Sequence, residues 1–179
     1  MIFTKTKIKG VIIIDPESKP DERGYFQRIY DKNEFKKHGI DLKTVQINQS
    51  MSLRKGTIRG PHMQKPPKSE DKLMQCIQGS IFDVVVDLRV ESKTYGQWIG
   101  EILQANGKKL FIPKGCAHGF QALSDNTIIQ YPVSEYYSPS YEIGIRWNDP
   151  FFRIDWPIKK VIISEKDSAW PDFISNKEK

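Results

Sequence analysis

The hexapeptide Arg59-Gly60-Pro61-His62-Met63-Gln64 puts a cation, an imidazole and an amide within a few residues. An imidazole titrates near neutral pH and can take up or release a proton. A guanidinium presents a fork of donors that suits an anion. The stretch therefore reads as a general base, His62, at the mouth of a β-barrel, with Arg59 holding an anionic substrate. The chain has 3 histidines. His118 stands in Pro113-Lys114-Gly115-Cys116-Ala117-His118-Gly119-Phe120, again among glycine and turn signals at a strand edge. Two histidines so placed either converge on one barrel mouth or serve packing, and spacing leaves both open. His38, at the polar end of a short helix candidate, is read as structural.

The chemistry narrows by exclusion. Metal-binding barrels use a His-x-His pair with a carboxylate and a further histidine. Here positions 60 and 64 are Gly60 and Gln64, so no metal is expected. Gly-x-Ser-x-Gly, a phosphate-cradling P-loop and Gly-x-Gly-x-x-Gly are absent, so neither a serine nucleophile nor a dinucleotide is expected. Cys76 and Cys116 read as buried free thiols. Acid–base chemistry without a cofactor remains. It requires a base, an acid and a group that holds developing negative charge. His62 serves as base, oriented by a carboxylate. Lys72, just before a strand, can stabilise an enolate, and a tyrosine can return the proton from the opposite face.

Positioning these groups falls to short strands. Ile2 to Ile14 reads as one strand ending in a turn at Asp15-Pro16. Lys19 to Arg23 reads as a polar loop, and Gly24 to Tyr30 as an aromatic strand. Asp31 to His38 is the best helix candidate, capped by Asp31 with Glu34 three residues on and ended by Gly39. Lys43 to Ser52 alternates, with Gln46, Asn48 and Ser50 on one face, either in solvent or lining a cavity. Leu73–Gln78 and Ile81–Arg89 flank Gly79-Ser80, which reads as a glycine-first hairpin turn. Further strands are expected at Trp98–Gln104, Lys109–Ile112, Gly119–Leu123 and Thr127–Val133. Residues from Tyr136 onward look irregular, and residues 176–179 are expected to fray. Many short strands with one weak helix mean an all-β sandwich or barrel.

The length of 179 residues suits a single domain over 1–179. The hydrophobic fraction of 38% is spread along the chain, as in a globular protein. No apolar run reaches the roughly eighteen residues of a membrane span, and no secretory leader is evident. A cytoplasmic protein is expected. The net charge of +6 comes from scattered lysines without an aromatic-interleaved basic run, so nucleic acid is not expected. A basic pocket for a phosphorylated small molecule fits better.

At this point the chain resembles the dTDP-4-dehydrorhamnose 3,5-epimerase family. The matching blocks run in order through almost the whole chain. They include Asp21-Glu22-Arg23-Gly24-Tyr25-Phe26, Gln46-Ile47-Asn48, Arg59–Gln64, Asp71-Lys72-Leu73, Phe82–Arg89, Ile112–Phe120, Tyr136-Tyr137-Ser138-Pro139 and Ser164-Glu165-Lys166-Asp167. The resemblance implies a cupin-like jelly-roll β-barrel with a few short helices, no cofactor, and an isomerase acting in deoxysugar biosynthesis. The substrate implied is a nucleotide-diphospho-4-keto-6-deoxy sugar, inverted at C3, C5 or both. His62 would be the base, Asp167 its carboxylate partner and Tyr131 the acid. Lys72 and His118 would sit near the ketone oxygen and sugar, with Arg59, Gln46 and Asn48 along the nucleotide diphosphate and Tyr137 near the base. Arg23 would reach in from the partner subunit of a homodimer.

Four places depart from the family pattern: Pro61 and Met63 around the base, Arg28, Pro132 after the acid, and Ile47 and Gln49 around Asn48. They bear on which sugar and nucleotide are taken and on how many centres are inverted. A single-centre epimerase on a different nucleotide sugar and a non-catalytic sugar-nucleotide-binding barrel are the alternatives.

Overall fold

The computed structural model describes residues 1–175, so the expectation for 176–179 lies outside the described residues. The strands are β1 (Ile2–Lys5), β2 (Ile12–Asp15), β3 (Ser18–Asp21), β4 (Gly24–Gln27), β5 (Gln46–Ser52), β6 (Ile58–Gln64), β7 (Lys72–Gln78), β8 (Ser80–Asp87), β9 (Trp98–Gln104), β10 (Lys109–Ile112), β11 (Cys116–Ala122), β12 (Thr127–Val133) and β13 (Glu142–Gly144). Two short α-helices, α1 (Lys32–Lys37) and α2 (Glu165–Ser168), and a 3-10 turn at Pro139–Tyr141 complete the elements of the described residues.

The strands form a six-stranded sheet in the order β1-β2-β10-β7-β12-β5 and a five-stranded sheet in the order β13-β6-β11-β8-β9. From β5 onward the chain switches sheet at every connection except β8 to β9. This weaving produces a cupin-like jelly roll. Between the sheets lies a core of Met74, Cys76, Ile81, Val85, Leu103, Leu110, Phe120 and Ile129. The back of the five-stranded sheet is covered by Ile145, Phe152, Ile154 and Trp156 from the C-terminal segment. The back of the six-stranded sheet is covered by Phe35, Ile40 and Leu42 on and after α1. Strand β8 explains its own composition: Ile81 and Val85 enter the central core while Val84 and Val86 enter the back layer. A strand buried on both faces reads as an unbroken apolar run.

Helix α1 forms as its sequence dictates. The Asp31 carboxylate accepts from the Asn33 and Glu34 amides, and Gly39 follows at φ +81. Four expectations need correction. Ile2 to Ile14 is a hairpin, β1 with β2. Gly10 at φ +88 and the Thr6 hydroxyl, which donates to the carbonyls of Ile8 and Val11, turn the chain there. The supposed loop before Arg23 is strand β3, paired with β4 in a separate hairpin. Gly79-Ser80 does not make a hairpin, because β7 and β8 belong to different sheets. Gly79 at φ +77 instead turns a corner against Thr127, whose Cα lies 3.3 Å from where a Cβ would sit. Finally, the two histidines lie within strands β6 and β11, inside the barrel wall rather than in loops at its edge.

Leu110 is 0% exposed in the central core. Leu110→Ala is expected to lower stability by about 2–5 kcal/mol through lost burial and a residual cavity. The shift of the urea unfolding midpoint at unchanged slope measures it.

Candidate active site

Strands β6 and β11 are antiparallel neighbours with His62 directly opposite His118. Two glycines allow that closeness. A Cβ on Gly60, at φ +78, would lie 2.7 Å from the His118 carbonyl oxygen, and one on Gly119 would lie 2.7 Å from the Pro61 nitrogen. The glycines beside each histidine therefore serve backbone approach, and the imidazoles are left side by side on the inner face of the sheet.

Each imidazole has its own carboxylate. His62 Nε2 lies 2.6 Å from Asp167 Oδ1, and His118 Nε2 lies 2.6 Å from Asp83 Oδ1. Asp167 comes from α2, whose cap is the Ser164 hydroxyl accepting from the Asp167 amide at 3.1 Å. The Gly60 amide donates to Asp167 Oδ2 at 3.2 Å. Burial pushes the Asp167 carboxyl up. The His62 hydrogen bond and charge, with the Gly60 and Ser164 bonds, outweigh it and hold the group below its usual range. Asp83 is wholly buried on β8, and its Oδ2 has no hydrogen-bond partner.

Tyr131 arrives from the other sheet, on β12. Burial, then the nearby Glu70 charge, pushes its phenol up, so it carries its proton at neutral pH and can donate it. Between the sheets are two adjoining cavities of about 590 and 470 Å³ that share His62, Lys72, Tyr131 and Gln49 on their walls. The larger is walled also by Arg59, His118, Lys166 and Asp167. The smaller is walled by Gln46, Asn48, Tyr137, Glu70 and Glu142. The row Gln46, Asn48, Ser50 on β5 therefore lines a cavity, while its alternate Ile47 is 63% exposed.

The structure thus brings together His62, Asp167, Tyr131, Lys72, His118, Arg59, Gln46, Asn48 and Tyr137. It does not bring Arg23 to them within one chain. Arg23 sits at the β3–β4 turn, its side chain 88% exposed and paired with Asp21 at 2.7 Å. Four residues escaped the sequence reading: Asp83, Glu70, Glu142 and Lys166. Glu142 Oε1 lies 3.7 Å from His62 Nδ1, and Glu142 Oε2 accepts from the Tyr137 hydroxyl at 2.9 Å and from Lys166 at 2.5 Å. Glu70 pairs with Lys72 at 3.0 Å. Of these, only Asp83 carried a signal, a carboxylate inside the β-branched run of β8. Among the described residues no group of three or more His, Cys, Asp or Glu side chains could hold a metal.

The arrangement supports proton transfer. A histidine tied to a carboxylate stands on one sheet and a protonated tyrosine on the other, with Arg59, Lys72 and Lys166 supplying positive charge along the larger cavity.

Comparison with known proteins agrees in extent and kind. The family model described as dTDP-4-dehydrorhamnose 3,5-epimerase matches residues 5–175. A dTDP-4-dehydrorhamnose 3,5-epimerase from Methanothermobacter thermautotrophicus is 48% identical over 178 residues, covering 97% of this chain and 95% of the relative. The crystal structure of dTDP-4-dehydrorhamnose 3,5-epimerase from Bacillus anthracis, with TDP and PPi bound, superposes with a TM-score of 0.93 at 43% identity, covering 96% of this chain and 99% of that one. The enzyme of Legionella pneumophila in complex with dTDP-4-keto-L-rhamnose superposes with a TM-score of 0.88 at 37% identity, covering 97% of this chain and 99% of that one.

Because the folded Asp167 carboxyl sits below its ordinary value of 3.8, folding favours its charged form. That contribution is present above pH 3.8 and disappears as pH falls through the lower folded value. Asp167→Asn is expected to lower stability near neutral pH by about 1.5–3 kcal/mol, the range for a hydrogen bond to a charged group. Urea midpoints of the two proteins should converge as the pH is taken below that window.

Proposed function

The chain belongs to the dTDP-4-dehydrorhamnose 3,5-epimerase family, and from that premise we propose that it epimerises a dTDP-4-keto-6-deoxy sugar beside the ketone. The observation that carries this reading is the opposition of the His62–Asp167 pair and Tyr131 across one cavity. Inversion of a carbon needs a proton removed from one face and another delivered to the opposite face. His62 Nε2 is engaged by Asp167, and Nδ1, whose neighbour Glu142 Oε1 lies beyond hydrogen-bond length at 3.7 Å, is the ring nitrogen left to take the proton. Asp167 fixes the imidazole tautomer and offsets the charge of the imidazolium once formed. The electrons left behind move onto the ketone oxygen as an enolate. Lys72 and His118, on the cavity walls, supply the positive charge and donors that stabilise it. Tyr131 returns a proton from the other face, and the enolate collapses to the inverted ketone. No redox step is involved; each inversion leaves an imidazolium and a tyrosinate, which return to their starting forms by proton exchange with water.

Arg59, Gln46 and Asn48 hold the nucleotide diphosphate in this reading, and Tyr137 stays close to the base through Glu142. The bound TDP and dTDP-4-keto-L-rhamnose of the two related structures support a dTDP-linked substrate. We also infer a homodimer. Ile47 and Met51 are exposed along the edge strand β5, with Leu53 just after it, and Tyr25 and Phe26 are exposed on the hairpin that carries Arg23. Exposed apolar side chains in these two places fit protein–protein contacts. A second copy would bring Arg23 to the diphosphate of its partner. Among the described residues no helix is long and apolar enough to cross a membrane. A cytoplasmic place in deoxysugar biosynthesis, where nucleotide sugars are made, is consistent with this chemistry.

The test is proton NMR of dTDP-4-keto-6-deoxyglucose with the protein in D₂O. Exchange is expected at the carbons flanking the ketone, and His62→Ala should lower it by about 10²–10⁴-fold, the usual size of a positioned acid or base. Tyr131→Phe should preserve exchange better than it preserves inversion. Exchange at one flanking carbon alone would make the protein a single-centre epimerase. No exchange in the wild-type protein, with the sugar nucleotide bound, would leave a binding barrel instead.

A further inference from the structure

Asp167 is supplied by a helix of 4 residues, far shorter than a helix that stands alone in water. Something else must seat it. Residues 164–173 lie along residues 142–149 and are fastened at successive points. Lys166 Nζ donates to Glu142 Oε2 at 2.5 Å. Asp172 pairs with Arg146. The Phe173 amide donates to Asp149 Oδ2 at 2.7 Å, and its ring centroid lies 4.7 Å from that of Phe152.

The fastening nearest the site is a contact of shape. The indole of Trp170 lies on the bare α-carbon of Gly144. A Cβ added there would overlap the ring, with Trp170 Cδ1 at 2.8 Å and two other ring atoms closer still. Gly144 is not among the glycines at positive φ, so it is needed for space and not for backbone conformation. An indole is rigid and cannot bend away as the tip of a long side chain could. The Trp170 Nε1 is buried without a hydrogen-bond partner, so packing and not hydrogen bonding locates the ring. Gly144 is also the residue paired with His62 in the β13–β6 register. The seat of Trp170 is thus one strand away from the base, and the helix it seats carries the base's carboxylate.

We propose that Gly144 and Trp170 are positioning residues for the His62–Asp167 pair. The indole, resting on Gly144, sets the height of α2 above β6 and so the distance from Asp167 to His62. The same seat sets Lys166 at the cavity wall. The activity arm of the test rests on the epimerase reading; the spectroscopic arm does not.

Gly144→Ala pushes the indole off its seat by the width of a methyl group. The direct readout is the far-downfield proton resonance of the short His62–Asp167 hydrogen bond in the ligand-free protein, assigned by its loss in Asp167→Asn. Gly144→Ala is expected to abolish that resonance while leaving the sheets folded, and to lower kcat for deuterium exchange at least tenfold with a smaller change in KM. Gly144→Ala combined with Trp170→Leu, which makes room for the methyl, is expected to recover both in part. Trp170→Ala, which leaves Gly144 untouched, is the second route to the same loss should Gly144→Ala fold poorly. The proposal is overturned if Gly144→Ala or Trp170→Ala keeps the resonance, or if the double variant is no better than Gly144→Ala alone. A wild-type protein that shows the resonance but catalyses no exchange would sink the epimerase reading and leave the positioning role standing.

Discussion

The short contact between His62 Nε2 and Asp167 Oδ1 joins residues 105 apart in the chain, and most of the architecture can be understood as holding its two ends. One end is fixed by sheet register: β6 is clamped between β11 and β13, with Gly60 and Gly119 letting the backbones close up around the imidazole. The other end is fixed by a four-residue helix that depends on its cap, on the Gly60 amide and on the docking of the segment that follows. A hydrogen bond between a buried carboxylate and an imidazole is worth most when neither partner has to be reorganised at the moment of proton transfer.

Charge is distributed to the same end. Five side chains form a linked set: Tyr137, Glu142, Lys166, His62 and Asp167. Burial works against the Glu142 carboxylate, yet bonds from Lys166 and Tyr137 and the charge of His62 keep it below its ordinary range. Glu142 in turn pushes the Tyr137 phenol and the Lys166 ammonium up. These shifts act in one direction: Glu142 stays a carboxylate while Tyr137 and Lys166 keep their protons. Buried ions are tolerated here because each is paired, the condition under which desolvation is repaid.

Much of this was legible in the sequence, and the exceptions have physical reasons. Strands β5, β9, β10 and β12 announce themselves by alternation or by β-branched content between turn residues, and α1 by its Asp31 cap. Gly79-Ser80 misled because a glycine at positive φ turns a corner between sheets as readily as it closes a hairpin, and the deciding contact, with Thr127, is far along the chain. The two histidines looked like loop residues because glycine neighbours usually mark turns, whereas here they mark close strand approach. His62 could be read as a base from its own neighbourhood, but its carboxylate could not: Asp167 has no periodic relation to it, and only the resemblance to a family pointed there. Glu70 and Glu142 were invisible for a related reason. An acidic residue in an irregular polar segment looks like surface until the fold buries it beside a lysine.

The central claim is that a sugar ring is held between His62 on one sheet and Tyr131 on the other. A crystal structure of this protein with a dTDP-linked 6-deoxy sugar bound tests it most directly. The carbons flanking C4 are expected to face the imidazole on one side of the ring, with the Tyr131 hydroxyl on the other and the C4 oxygen toward Lys72 and His118. A sugar lying outside the cavity, or with His62 and Tyr131 on the same face of its ring, would contradict it.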